Sequence, residues 1–338
     1  MRLFSRFVCL LLLLLPAAAV HAQKGPFALK TLKLPAELTE RSQQFSGLCL
    51  RGSQLLLLGE SRLQERMEPK VYALDLPSVD AQLAGKPGEL TYKKYRIQGL
   101  EGIRARIDSL CQVYEGLEGL TLVGDEAYMS IETTTPSAYC YLIRGTFHDA
   151  TATITLDAKY LVPLPKPALL NGTHVHNAGF ESLTNYHQRL LALFEYNYFP
   201  QDNYAYELPT TAGAELPRFV PVDRLPFRVT DMVYEGENRF TAINYFFRGD
   251  EDAVYRPAPT DPNARFIQDG AGFKNYCRLI RISYKGKKVS WKPLYELPAE
   301  YMTYNWEGLA AYHGGYFLIN DKYGPSNQST LLYLQKTK

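Results

Sequence analysis

The stretch EGLEGLTLVGDEAYMSIE, residues 115–132, decides the fold. A carboxylate and Gly-Leu lead into a short apolar strand, the chain turns at Gly124-Asp125, and a second run climbs to another carboxylate. That pattern is a hairpin of two short strands. The phrase recurs as SGLCLRGSQLLLLGE (46–60), ESLTNYHQRLLALFE (181–195), DMVYEGENRFTAIN (231–244) and EGLAAYHGGYFLIND (307–321). Degenerate copies of one two-strand unit, with opening residues 50 to 76 positions apart, are the signature of a β-propeller.

Each copy carries further strands. KVYALDLP (70–77) and LTYKKYRIQG (90–99) follow the first hairpin; AYCYLIRG (138–145) and TITLDAKYLVPLP (153–165) follow the second. NYAYELP (203–209) with RFVPVDRLP (218–226), and YCRLIRISYKG (276–286) with VSWKPLYELP (289–298), complete the third and fourth. The fifth has only STLLYLQK (329–336) and stops one strand short. FALKTLKLPAE (27–37) has no partner of its own, and its Leu-Pro-Ala-Glu ending matches the YELPAE that closes the fourth copy. The expected fold is therefore all-β, a β-propeller of five four-stranded blades. Residues 28–34 pair with 329–336 in it, closing the ring and removing two sheet edges. Six blades is the alternative, because 61–117 and 245–305 are long enough to hold extra strands. EGIRARIDSLCQ (101–112) is the single helical candidate, a turn or two in a loop.

The chain begins MRLFSRFVCLLLLLLPAAAVHAQ: two arginines, an apolar run and small residues before Gln23. This reads as a secretory signal peptide over residues 1–22, too short to span a bilayer comfortably, followed by one domain over 23–338. A secreted or periplasmic, monomeric protein is expected. Without Arg2 and Arg6 the 37 basic residues fall to 35, against 35 acidic. A net charge near zero favours neither nucleic acid nor an anionic membrane, and no later run is apolar enough for a membrane span. The 25 tyrosines suit strands and also a face for a small-molecule or glycan ligand. Cys49, Cys111, Cys140 and Cys277 lack metal-ligand spacing; Cys140 and Cys277 hold matching places in two copies and are expected as separate buried thiols.

In an antiparallel hairpin the start of one strand lies beside the end of the next. Ser46/Glu60, Glu118/Glu132, Glu181/Glu195, Asp231/Asn244 and Glu307/Asp321 should therefore converge at one channel mouth. So many carboxylates cannot all be charged without compensation. A cation sits among them, or basic side chains pair with them, or some stay protonated. Oxygen ligands favour calcium (Ca2+) or magnesium, and the metal candidates are Glu118, Glu132, Glu181, Glu195, Asp231, Glu307 and Asp321. A ring of acids accepting loop N–H bonds is the structural alternative. GTHVHNAGF (172–180) brings His174 and His176 to the same face, as a metal site, an acid/base couple or plain loop residues. Tyr196 and Tyr198, in an aromatic and acidic loop, and Arg228 and Arg248, fit for a phosphate or carboxylate, are candidate binding residues. No GxSxG, HExxH or Walker loop occurs, which excludes those chemistries.

LEGLTLVGDEAYMSIE, GFESLTNYHQRLLALFE and NWEGLAAYHGGYFLIND resemble the phytase-like family whose domain is called "esterase-like activity of phytase". The similarity runs in pieces over about 40–335; Ser46 and Asp231-Met232 depart from the Glu-Gly-Leu opening. The resemblance implies an exported bacterial propeller that hydrolyses phosphate or carboxylic esters, with Ca2+. Glu181, Glu307 and His176 are the candidate catalytic groups from the rim itself. The competing reading is a non-catalytic propeller binding a glycan, peptide or envelope partner.

Overall fold

The computed structural model describes residues 26–337 apart from 41, 61–68, 211–216, 251–252 and 324–327. The expected leader lies outside the described residues. Among those described, no helix is long and apolar enough to cross a membrane.

Strand β1 (Phe27–Leu32) stands ahead of the repeats. The first copy folds as β2 (Phe45–Arg51), β3 (Gln54–Gly59), β4 (Lys70–Asp75) and β5 (Tyr92–Gln98), with helix α1 (Leu76–Leu83) before β5. Helix α2 (Leu100–Ser109) leads into β6 (Tyr114–Val123), β7 (Glu126–Thr133), β8 (Tyr139–His148) and β9 (Thr153–Pro165). The third copy is β10 (Ser182–Tyr186), β11 (Arg189–Leu193), β12 (Tyr204–Pro209) and β13 (Arg218–Pro221). The fourth begins with β14 (Arg228–Gly236) and β15 (Arg239–Phe246). A loop holding α3 (Ala264–Ile267) and the ribbon of β16 (Gln268–Asp269) and β17 (Gly272–Phe273) precedes β18 (Tyr276–Tyr284) and β19 (Val289–Glu296). The last copy is β20 (Tyr304–Tyr312), β21 (Gly315–Tyr323) and β22 (Leu331–Lys336).

Every copy is an antiparallel meander with its first strand innermost. A short parallel pairing of Arg96–Gln98 with Thr153–Thr155 fuses the outer edges of the first two into one eight-stranded sheet. The inner strands β2, β6, β10, β14 and β20 pack side by side in that order, and β20 returns to β2. This is a β-propeller. Its core is the set of layers between neighbouring sheets: Leu191 and Ala205 meet Phe240 and Ile280, for example, and Ile243 and Leu279 meet Leu309 and Leu318. The inner hairpins turn over pairs such as His187-Gln188 and Glu237-Asn238, all with positive φ, which matches the twist of the flanking strands.

Strand β1 pairs antiparallel with β22, from Phe27 opposite Lys336 to Leu32 opposite Leu331, so the fifth copy gains its outer strand as expected. Cys140 on β8 and Cys277 on β18 are buried, unlinked and equivalently placed. Cys111 is exposed, just past the end of α2, with φ at 57°. Three element boundaries also differ. The strand read over 70–77 ends at Asp75, because Pro77 sits in the first turn of α1, where its missing N–H costs nothing. Helix α2 runs ten residues and buries Leu100, Ile103 and Ile107 on one stripe. The strand read over 218–226 stops at Pro221. Segment 245–305 contributes β18 and β19 to the fourth sheet and, among the described residues, adds the short ribbon, α3 and two single 3-10 turns but no further four-stranded sheet.

Candidate functional site

The opening residue of four of the five repeats sits where the inner hairpin slips its register. The ladder shifts between Phe45 and Gly47, Leu117 and Leu120, Val229 and Met232, and Trp306 and Gly308. Ser46, Glu118, Asp231 and Glu307 thus lie in β-bulges, and Glu181 lies one residue ahead of β10. A bulge frees one residue from the ladder and re-aims its side chain. The simple pairing expected from an even ladder is corrected accordingly: Glu132 faces Gly116 and Asn244 faces Val229.

The glycine after the carboxylate is explained by the next blade. A Cβ on Gly119 would lie 2.4 Å from the Glu181 carbonyl oxygen and 2.9 Å from Ser130 Oγ. One on Gly308 would lie 2.6 Å from Ile319 and 3.0 Å from the Gly47 backbone. The Glu-Gly-Leu phrase is therefore a bulge plus a point of contact between inner strands. In the third copy Ser182 replaces the glycine and donates to the Val229 carbonyl at 3.0 Å. Gly119→Ala should cost about 1–3 kcal/mol by overpacking against the Glu181 carbonyl, which urea unfolding of the variant would detect. Unchanged stability would contradict this contact.

Glu118, Glu132 and Glu181 are all buried, and each places one carboxylate oxygen within 4.8 Å of the others. Glu132 Oε1, Glu181 Oε2 and Glu195 Oε2 are buried without a hydrogen-bond partner. Burial, then Glu195 and Glu115, pushes Glu132 up to about 8. Burial raises Glu181 well above the usual carboxylate range, helped by Glu195, Glu307, Glu118 and Glu132. Glu307, partly buried, is raised in the same way by burial, Asp321 and Glu195, against the pull of Arg228. The expected convergence of acids is thus real on this side of the mouth.

Two cations face it. Arg228 Nη1 bonds Glu195 Oε1 and reaches the Asn177 carbonyl at 3.3 Å, while Nη2 and Nε hold Asp250 at 2.7 and 3.2 Å. Its guanidinium lies 3.9 Å from the Tyr255 ring centroid, and the Tyr255 hydroxyl donates to the His176 carbonyl at 2.9 Å. Lys166, also buried, donates to the Thr133 carbonyl at 2.6 Å and acts electrostatically on Glu132. Sequence reading missed Lys166, Asp250 and Tyr255. A lysine directly after β9 and an acid in the loop after β15 carry no spacing that marks them.

The remaining candidates divide. Asp231 accepts the N–H groups of Met232 at 2.7 Å and Leu309 at 2.6 Å, tying β14 to β20. Asn244 is held by the carbonyls of Pro226 and Arg228 and by Arg278. On that side the acidic ring acts as a structural lock. His176 is exposed at the mouth with Nδ1 bonded to Thr135 Oγ1 at 2.6 Å. His174 turns to the Pro167 carbonyl at 3.1 Å, and buried Val175 separates the two. Arg248 is exposed, its N–H bonded to Asn275. Tyr198 bonds Asp261, with Arg224 over its ring at 4.1 Å. Tyr196 packs edge-on to Phe199 and Tyr255.

No protein-family model matches the chain. No curated protein matches it either. Among solved structures it is similar to the allergen Mala s 1 of Malassezia sympodialis, at 12% identity over 87% of this chain and 78% of that one, TM-score 0.48. The soluble aldose sugar dehydrogenase of Escherichia coli matches at 11% identity over 92% and 100%, TM-score 0.48. A GH43 β-xylosidase/α-arabinofuranosidase from a compost metagenome matches at 7% identity over 91% and 95%, TM-score 0.48. Likeness this distant carries no chemistry across.

Proposed function

We propose that the chain is an exported five-bladed propeller, closed by β1, that holds Ca2+ at Glu118, Glu132 and Glu181 and hydrolyses phosphate or carboxylic esters at that mouth. Five meanders around a closed ring of inner strands support the blade number. The observation carrying the site is the pair of buried, unpartnered oxygens, Glu132 Oε1 and Glu181 Oε2, in a group whose ligand atoms span at most 4.8 Å. Oxygens on one calcium at about 2.4 Å lie up to about 4.8 Å apart, so the donors fit. The resemblance to phytase-like proteins adds the ester-cleaving expectation.

Bound there, the cation supplies positive charge against an anionic substrate or developing oxyanion. Arg228 holds Glu195 and Asp250 in place and orders the His176 segment through Tyr255. His176, with Nδ1 engaged by Thr135, has Nε2 for proton exchange at the mouth. Water then adds across the ester bond, giving an acid and an alcohol. Turnover of 4-nitrophenyl phosphate and acetate should require calcium, stop in EDTA and fall at least tenfold in Glu181→Gln. Rates no faster than buffer with calcium present would contradict catalysis. Calcium at a hundredfold excess over its dissociation constant should stabilise the wild type by about 2.7 kcal/mol. Glu181→Gln should lose much of that gain yet match the wild type in EDTA, since it relieves repulsion. A loss of about 1–3 kcal/mol in EDTA would mark Glu181 as a structural acceptor instead.

A further inference from the structure

A cavity of about 740 Å³ opens between the loop that follows β9 and the loop that follows β11. Its walls are mainly Leu169, Leu170, Tyr196, Phe199, Tyr204 and Val254, and among the described residues Asp202 is the only charged one lining it. Its size and apolar lining are those of a small-molecule site. Tyr196 links it, through Tyr255, to the Arg228 side of the acidic site. Tyr196 directly follows Glu195, and its ring lies 4.8 Å from Phe199 inside the cavity and 5.6 Å from Tyr255, which stacks on Arg228. We propose that this cavity takes the apolar part of the substrate, so that the ester cleaved carries an aryl or alkyl group and not a cluster of phosphates.

Both sides of the cavity are held in shape. Leu170 is 91% exposed. It nevertheless sits on a turn fixed by Leu169 N–H to the Thr173 carbonyl at 2.7 Å, Gly172 N–H to the Leu169 carbonyl at 2.8 Å and the His174–Pro167 bond. Opposite, Asn203 bonds both the N–H and the carbonyl of Phe199, at 2.9 and 3.0 Å. A rigid, uncovered leucine over an apolar cavity gains free energy when an apolar group covers it. The charge pattern points the same way. Among the described residues no lysine or arginine lines the cavity, and Arg228 already spends its N–H groups on Glu195, Asp250 and Asn177. A polyphosphate finds no cationic cradle among these residues, whereas an aryl ring or alkyl chain fits the apolar lining.

The inference rests on the hydrolytic reading, and two readouts separate them. The first is kcat/KM for 4-nitrophenyl acetate, butyrate and hexanoate, with inositol hexakisphosphate as the polyanion, all with calcium. Each added methylene should raise kcat/KM by up to about fourfold, and Leu170→Asp and Val254→Asp should flatten the series. The second is calorimetric binding of 4-nitrophenyl hexyl ether, which cannot be hydrolysed as an ester. Wild type and Glu181→Gln should bind it alike, and the two Asp variants at least tenfold more weakly, with thermal unfolding confirming that each variant is folded. Ether binding that depends on Leu170 without turnover of any ester would uphold the cavity's ligand class and overturn the hydrolytic reading. A flat ester series with no ether binding, or faster cleavage of the hexakisphosphate than of the hexanoate, would overturn the inference and leave hydrolysis standing.

Discussion

Removal of residues 26–34 should abolish the cooperative unfolding transition of the intact protein or lower it by tens of degrees. Phe27, Leu32 and Leu34 are buried, and Phe27 packs edge-on against Tyr295 and Tyr316 at 5.0 and 5.7 Å. At about 1.5–3 kcal/mol for each buried side chain, the deletion forfeits roughly 5–9 kcal/mol. That is comparable to the whole stability of an ordinary domain. It also strips the partner from six residues of β22 and leaves an open sheet edge, which invites association. Circular dichroism melting and light scattering of the truncated chain are the measurements. A melting curve within a few degrees of the intact protein would contradict the closure by β1.

Arg228→Met should be the most costly single substitution at the mouth. The guanidinium is buried between Glu195, which is 1% exposed, and Asp250, with Tyr255 against its face. Deleting one partner of a buried pair leaves the other charge uncompensated, at about 3–5 kcal/mol. Burial already raises Glu195, and Arg228 opposes that rise. Without the arginine the Glu195 carboxyl moves further up and keeps its proton in the folded state to higher pH. A group raised on folding gives stability that is lost as pH climbs from its unfolded to its folded value. The variant should therefore trail the wild type by more at pH 8 than at pH 5. Arg228→Lys should rescue little, since a single ammonium cannot hold Glu195 and Asp250 as the fork does. Urea unfolding at the two pH values tests this; a deficit below about 1 kcal/mol at both would show that Glu195 has other compensation.

The repeats and the strand that completes the last one were legible in the sequence because a blade's inner hairpin is read by alternation alone. Phe27–Leu32 could be matched to the fifth copy by its ending, and the pairing with β22 falls within two residues of that reading. Helix α1 was hidden because Leu76-Pro77 continues the apolar pattern of β4, and only the proline's place in a first turn marks the change. At the site, the convergence of Glu118, Glu132 and Glu181 followed from the repeat, but the bulges did not. Alternation counts residues and cannot tell that two of them oppose one, so the Glu132–Gly116 pairing was out of reach. Asp231 illustrates the limit most plainly. It occupies the same repeat position as Glu118, yet its shorter side chain closes onto the N–H groups of Met232 and Leu309. Equivalent position did not mean equivalent role.

Whether the buried carboxylates form a cation site is tested most directly by thermal unfolding from pH 5 to pH 8, in EDTA and in calcium. Without a cation, Glu132 stays protonated in the folded state up to about 8, and Glu181 and Glu307 are raised as well, chiefly by burial. Their unfolded values lie near 4.3, so the folded state binds more protons across this range and stability must fall as pH rises. With calcium the ion takes the place of those protons, so its stabilising effect should grow with pH and be greatest at pH 8. The melting temperature in EDTA should drop steadily from pH 5 to pH 8, while in calcium it stays level and parts from the EDTA curve progressively. Melting that ignores calcium at every pH, or that rises with pH in EDTA, would contradict the cation site.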